Sequence, residues 1–397
     1  VLAFFVHEIH DGKPNSMTGP AKVLAINFGG IGDEVLFLPC LATVKRLAPD
    51  CELTLLVEPR SKSVAEVTDL IDKVITFDIK KRPLTPFDLY QLAMLLRRGG
   101  YDMVISSGSS PMVAMLLFLS GIPLRVGYDA GGPWKSLLTH PVKLLRDQYA
   151  ADMYHDLTKG MANYLRRKAD AKASIREEDS PYQVPKVALK PDSLKAMQDF
   201  LEEGLKTTAT AGDTRPVKTI LVHPGTSQMA VSKGIIKHWS SENWLSYIQL
   251  LQNQKDAPFQ TRVVLAGGPD DKDVVAGLEA AMAKSGDQKP YISAVGKTKG
   301  LADLAALTSI CDLLTCVDSA PMHIGVGLNK NIVALFGPTD PAKLIPNQPN
   351  FKVLADRPED TGPSATRRSL LDGLGVRLRP ENVYRSSMDL LLAESIR

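Results

Sequence analysis

The sequence predicts an α/β protein with two doubly wound parallel-sheet domains facing a central cleft. Three observations predict it. Strand-like apolar runs alternate with helix-like runs along most of the chain, the signature of a parallel sheet with crossover helices. The alternation gives way from about residue 150 and restarts at Val217, which places a domain junction near residue 185. In three places a strand-like run ends in a small-residue or hydroxyl-rich turn directly before a helix-like run. The length of 397 residues suits two or three domains. A composition of 44% apolar and 23% charged residues suits a folded core.

The elements follow in order. KVLAINF (22–28) is a buried-strand run, followed by glycines and by DEVLFLPCLATVKRLA at helical spacing. CELTLLVE (51–58), DKVITFD (72–78) and YDMVISSG (101–108) are further strands. Between the last two, FDLYQLAMLLRRGG is an amphipathic helix stopped by Gly99 and Gly100. PLRVGYD (123–129) is a fifth strand, and residues 150–176 read as one basic helix. After a mixed stretch containing the helix PDSLKAMQDFLEEGL, strands are expected at VKTILVHPG, TRVVLAGGPDD, KPYISAVG, CDLLTCVDS and NIVALFG. Helices are expected at SSENWLSYIQLLQ, LADLAALTSI and residues 380–396, the last opened by Pro380. The expected organisation is a flexible leader over 1–20 and domains over 21–185 and 186–397. The final helix has the option of packing back on the first domain.

Several function classes lose ground early. A net charge of +3 is too mild to predict nucleic-acid binding. Cys40, Cys51, Cys311 and Cys316 form no CxxC pair, so they read as reduced core residues of a cytoplasmic protein, not as a metal site. The N-terminal apolar run is too short for a signal-peptide core and lacks a basic front. The longest apolar run, Met112 to Leu119, cannot span a bilayer.

Three turns can carry chemistry. In NFGGIGDEV (27–35), Gly29, Gly30 and Gly32 permit close backbone approach, and the helix start favours anions. Asp33 either satisfies that helix start or serves as a general base at a cleft mouth. A nicotinamide-binding reading fails. Gly30 and Gly32 supply G-x-G and Glu58 ends the next strand, but Val35 stands where a small residue is needed.

In HPGTSQMAVSKGIIKHWSSENW (223–244), the Thr226 and Ser227 hydroxyls and free backbone N–H groups can hold a phosphate, with Lys237 adding a point charge. The bland alternative for Lys237 is a solvated surface lysine. Ser240 or Ser241 caps the next helix, and His238 and Trp239 read as packing residues. In VDSAPMHIGVGLNKNIVALFGPTDP (317–341), Asp318 and Ser319 sit at an N-cap, Pro321 in the first turn, and Ala320 among small residues that permit close packing. Backbone N–H groups and the Ser319 hydroxyl would hold an anion there. His323 on its own reads first as a satisfied core residue.

Taken together and in order, these turns resemble glycosyltransferase family 9, the lipopolysaccharide heptosyltransferase family. The matching pieces also include YDMVISSGSS, LSGIPLRVGYD, KHWSSENW and LAGG, and the resemblance runs from about residue 21 to 345. It implies a GT-B architecture of two Rossmann-like domains, the first taking the acceptor and the second the donor. It makes Asp33 the base. It gives donor contacts to Thr226, Ser227 and Lys237, and to Asp318, Ser319, Ala320 and His323. Ala320 replaces the glycine usual in the family's motif.

The expected activity is inverting transfer of a heptose or related sugar from a nucleotide-diphosphate donor to a hydroxyl of a lipopolysaccharide-type or other glycan acceptor. No metal and no cofactor is expected, the nucleotide sugar being a co-substrate. The acceptor would be lipid-linked at the inner face of a membrane, with the protein cytoplasmic or peripheral there. The basic helix carrying Lys159, Arg166, Arg167, Lys168, Lys172 and Arg176 either touches anionic headgroups or a phosphorylated acceptor core, or is a solvated face, the last being the leading reading. The alternatives are a nucleotide-sugar epimerase of the same build and a binding module without catalysis.

Overall fold

The structure is a computed structural model. It describes residues 20–79, 84–168, 183–208, 212–225, 237, 239–285, 291–355 and 378–395. The expected leader and the loop carrying Thr226 and Ser227 lie outside the described residues, as does His238. The chain divides into two compact units, Val1–Lys186 and Val187–Arg397.

The first unit holds a six-stranded sheet of β1 (Lys22–Ile26), β2 (Glu52–Val57), β3 (Lys73–Thr76), β4 (Met103–Ser106), β5 (Leu124–Tyr128) and β6 (His140–Val142). Their order is β3-β2-β1-β4-β5-β6, and every pair is parallel. Strands covered on both faces must be apolar throughout. Residues 23–26 of β1 and 53–57 of β2 are accordingly buried without interruption.

Helix α1 (Ile31–Leu47) follows β1, α2 (Pro86–Arg98) precedes β4, and α3 (Pro111–Leu119) follows it. Thr85 opens α2 with a reciprocal capping box to Asp88, and Pro86 sits where its missing N–H costs nothing. Helix α3 was not anticipated. All nine of its residues are apolar, so it shows no periodicity to read. The single basic helix expected over 150–176 is instead α4 (Ala150–His155) and α5 (Thr158–Lys168), with residues 169–182 outside the described set. The chain tightens between them as Leu157 N–H donates to Tyr154 O and Lys159 N–H to Asp156 O. The Asp156 carboxylate accepts from Gln148 and Lys159, and the Thr158 hydroxyl donates to the His155 carbonyl.

The second unit repeats the plan with β7 (Val217–His223), β8 (Gln260–Leu265), β9 (Ile292–Ser293), β10 (Leu313–Val317), β11 (Asn331–Phe336) and β12 (Phe351–Ala355). The order is β12-β11-β10-β7-β8-β9, again all parallel. Counted from its own first strand, each sheet runs 3-2-1-4-5-6. Helix α6 (Pro191–Thr207) precedes β7, and α7 (Ser241–Asn253) follows it. Helix α8 (Lys272–Lys284) follows β8, and α9 (Leu301–Ile310) precedes β10. Helix α10 (Ala320–Gly327) links β10 to β11, and α11 (Pro341–Leu344) follows β11. Ser240 caps α7 by accepting from Asn243 N–H, as the sequence suggests.

The closing helix, α12 (Pro380–Ser395), packs on α7, β10 and β11 of its own unit. The buried Tyr247 hydroxyl joins them, 2.8 Å from Thr315 Oγ1 on β10 and 2.8 Å from Ser387 Oγ on α12. Trp239 and Trp244 stack edge to face beside it, their centroids 4.9 Å apart, and Trp239 Nε1 donates to the Leu378 carbonyl. All four cysteines are buried free thiols. Burial pushes the Cys311 thiol up to about 12, so it stays protonated and unreactive.

Tyr247→Phe removes the buried hydroxyl that ties β10 to α12 and leaves Thr315 without it. The variant is expected to lose about 1–3 kcal/mol, read as a lower denaturation midpoint with an unchanged slope.

Candidate active site

In a sheet wound 3-2-1-4-5-6, the loops after the first and fourth strands leave in opposite directions. A crevice opens beyond their carboxyl ends, and ligands bind there. In the first unit that place lies beyond β1 and β4. A cavity of about 350 Å³ opens there, with Asn27, Gly29, Asp33, Ser107, Arg146 and Tyr154 among its walls. Asn27 ties the two strand ends together, its Oδ1 accepting from Ser107 Oγ at 2.6 Å and its Nδ2 donating to the Asp33 carbonyl at 3.3 Å.

Asp33 is held from two sides. It is the third residue of α1, and its Oδ2 accepts from the Gly30 N–H at 2.8 Å. This is the helix-start role foreseen for it. Its Oδ1 accepts from the Tyr154 hydroxyl at 3.2 Å. The carboxylate therefore closes the helix start with one oxygen while the other borders the cavity. A side chain at Gly29 would place its Cβ 2.2 Å from the Asp33 Cβ, so a glycine there is required by close approach. Gly32, expected in the turn, lies inside the first turn of α1.

Tyr154 went unremarked in the sequence. It stands 121 residues from Asp33, and α4 carries it onto α1, where its ring meets Phe37 edge to face at 5.7 Å. Burial, and then the negative charge of Asp33, hold the Tyr154 phenol well above its usual range, so it remains a neutral donor.

The equivalent place in the second unit lies beyond β7 and β10, and the structure gathers Lys237, Asp318 and Thr339 there. Lys237 Nζ lies 2.6 Å from Asp318 Oδ2, and the Thr339 hydroxyl donates to the same oxygen at 2.6 Å. The two charged side chains are 16% and 3% exposed, so the ion pair is nearly dry and Lys237 is no solvated surface lysine. Removing one partner of such a pair typically costs about 3–5 kcal/mol, because the other charge is left buried.

This geometry corrects the N-cap reading of residues 318–319. Asp318 does not cap α10, since its carboxylate serves Lys237 and Thr339. Ser319 occupies the N-cap without a side-chain capping bond to the helix, its hydroxyl donating back to the Val317 carbonyl at 3.2 Å. The N-terminus of α10 thus begins at Ala320 with no side-chain cap, and Pro321 stands in its first turn. His323 lies on α10 and is buried. Thr339, within a stretch that reads only as a turn, was missed.

Also missed was a buried pair behind the β7 turn, where His223 Nε2 lies 3.6 Å from Asp271 Oδ2. Asp271 Oδ2 also accepts from the Gly268 N–H at 2.7 Å. A Cβ on Gly225 would lie 2.0 Å from Asp271 Oδ1. Among the described residues, no group of three or more His, Cys, Asp or Glu side chains is placed to hold a metal ion.

Two sheets of this order in one chain, each with polar side chains gathered at its switch point, define a protein of two Rossmann-like halves. Comparison with known proteins narrows the class. The model of glycosyltransferase family 9 (heptosyltransferase) matches residues 89–374. The chain belongs to that family and is a glycosyltransferase. It is 24% identical over 315 residues to lipopolysaccharide heptosyltransferase 3 of Escherichia coli, covering 78% of this chain and 81% of that protein.

Among solved structures it is similar to a family 9 glycosyltransferase of Veillonella parvula, with a TM-score of 0.69 and 21% identity over 96% of this chain and 100% of that one. It is also similar to the ADP-heptose lipopolysaccharide heptosyltransferase II of E. coli, with a TM-score of 0.65 and 20% identity over 94% and 99% of the two chains. Both likenesses support the two-sheet fold.

The His223 imidazole is held below its ordinary value by burial, against the opposing pull of Asp271. His140 is lowered too, by burial and then by Arg167 and Arg125. A histidine with a lowered folded-state value contributes stability above its unfolded value of about 6.5 and loses it as pH falls toward the folded one. The midpoint of thermal unfolding is therefore expected to drop as pH falls below about 6.5, and less steeply in His223→Gln. An equal slope in the two proteins would exclude His223 as a contributor.

Proposed function

We propose that this chain transfers a sugar, with inversion and without a bound metal, from a nucleotide-diphosphate donor to a hydroxyl of a lipopolysaccharide-type acceptor. The observation that carries this reading is Asp33, a doubly held carboxylate bordering the cavity at the first sheet's switch point. A general base must keep one oxygen lone pair aimed at the proton it removes. The Gly30 N–H and the Tyr154 hydroxyl hold the carboxylate plane in place without neutralising it.

The acceptor occupies the cavity of the first unit, and Asp33 takes the proton of the attacking hydroxyl. The oxygen bonds to the anomeric carbon of the donor sugar as the bond from that carbon to the diphosphate breaks. Negative charge grows on the leaving diphosphate, which the second unit binds. One ammonium hydrogen of Lys237 is given to Asp318, which leaves two to donate to phosphate oxygens. Asp318 and Thr339 position that ammonium, and the N-terminus of α10 adds backbone dipoles from Ala320 onward. His323 and the Thr226 and Ser227 hydroxyls complete the donor seat in this reading. Preorganised groups at such a leaving group are worth about 2.7–4 kcal/mol each.

Membership of the heptosyltransferase family supports transfer over epimerisation. The description of one solved relative makes ADP-heptose the first donor to try. With that donor and a truncated lipopolysaccharide acceptor, Asp33→Asn should lower the transfer rate about 10²–10⁴-fold while calorimetric donor affinity persists. Turnover at the wild-type rate would remove Asp33 as the base. Tyr154→Phe should cut kcat roughly 10-fold or more with little change in the acceptor KM, since a hydrogen bond to a charged group is worth about 1.5–3 kcal/mol. Chelation of divalent ions should leave the rate unchanged.

A further inference from the structure

The first unit carries an apolar stripe that its fold leaves uncovered. Helix α3 contains no polar residue, yet Met112, Met115 and Leu119 are exposed, Leu119 to 56%. Their spacing of three and four residues puts them on one face. Helix α2 packs beside α3 and exposes Phe87 to 64% and Tyr90 to 61%. The short helical turn Gly132–Leu137 also packs on α3 and exposes Trp134 to 40%. Large apolar side chains clustered on neighbouring elements mark an interaction surface rather than scattered exposure.

The charges on these elements and on the chain flanking them indicate the kind of partner. Arg97 and Arg98 end α2 exposed, Lys135 adjoins Trp134, and Lys143 and Arg146 follow on the exposed chain leaving β6. Against these five cations stand Asp88, which caps α2, and the exposed Asp129 and Asp147. An apolar stripe of Met, Leu, Phe, Tyr and Trp flanked by a cationic excess is complementary to an anionic lipid interface, where the stripe inserts and the cations meet headgroups. No described helix is long and apolar enough to cross a membrane, so such a contact lies in the interface plane.

Helix α3 also connects this surface to the chemistry. Its Val113, Leu116 and Leu117 line the Asp33 cavity, while Met112, Met115 and Leu119 emerge outside.

We infer that the exposed face of α2, α3 and the Gly132–Leu137 turn docks the enzyme on an anionic lipid surface, with α3 forming one wall between that surface and the acceptor cavity. The inference rests on the proposed transfer to a lipid-linked acceptor. It moves the membrane contact away from the basic helix Thr158–Lys168, whose cations lack an apolar stripe of this kind.

The full chain should float with vesicles of phosphatidylethanolamine and phosphatidylglycerol, and should bind weakly to phosphatidylcholine alone. The double variant Met115→Glu/Leu119→Glu should lose vesicle binding about tenfold or more. Its unfolding midpoint and its transfer to a water-soluble, delipidated acceptor should stay at the wild-type level, since neither side chain lines the cavity. Undiminished binding by the double variant would overturn the inference. Loss of binding only on removal of residues 1–19 would also overturn it, as would a wild-type dimer that the double variant dissociates. Asp33→Asn should bind vesicles normally, so failure of the transfer reading and failure of the docking surface are separately visible.

Discussion

The constraint on which the rest depends is the handedness of crossovers between parallel strands. A strand–helix–strand unit turns right-handedly. A sheet can therefore grow in both directions from its first strand only by reversing its winding once. Both sheets here reverse once, between β1 and β4 and between β7 and β10. At each reversal two loops part, and the gap cannot be filled by either crossover helix. Asp33 and the cavity lie at the first gap, and the Lys237–Asp318–Thr339 cluster at the second. Strand order thus decides where polar groups escape a core that is otherwise apolar.

The two gaps are furnished differently. In the first, a carboxylate is oriented by neutral donors, a backbone N–H and a phenol. In the second, an ammonium meets a carboxylate that also accepts from a hydroxyl, so the local charge is balanced. A balanced pair tolerates burial far better than a lone ammonium would. The buried Lys237 ammonium is thus compensated within its own unit.

Much of the fold was legible because parallel strands covered on both faces are continuous apolar runs, as in KVLAI and NIVALF. Helix α3 was not, because a uniformly apolar segment has no period. Nor were β6 and β12. One is three residues long, and the other has only its first residue fully buried. Asp33, Lys237 and Asp318 could be picked out because each stands at a strand-to-helix turn or close after one. Their partners could not. Tyr154 reaches Asp33 across 121 residues and Lys237 meets Asp318 across 81, and such pairings are set by packing that no local pattern records. The N-cap at 319 was legible as a position, while the turn of its hydroxyl toward Val317 was not.

Each half of the molecule also repeats one small device. An aspartate at the third position of a helical turn folds back to a backbone N–H, Asp33 to Gly30 and Asp271 to Gly268, and fills the space beside a glycine, Gly29 after the same strand β1 for Asp33 and Gly225 after the neighbouring strand β7 for Asp271. The consequence is evolutionary. Neither Gly29 nor Gly225 can acquire a side chain while its aspartate remains, and losing the aspartate would uncap the turn behind it. Residue pairs 29/33 and 225/271 should therefore change together or not at all across relatives, leaving correlated positions that owe their linkage to volume rather than to chemistry.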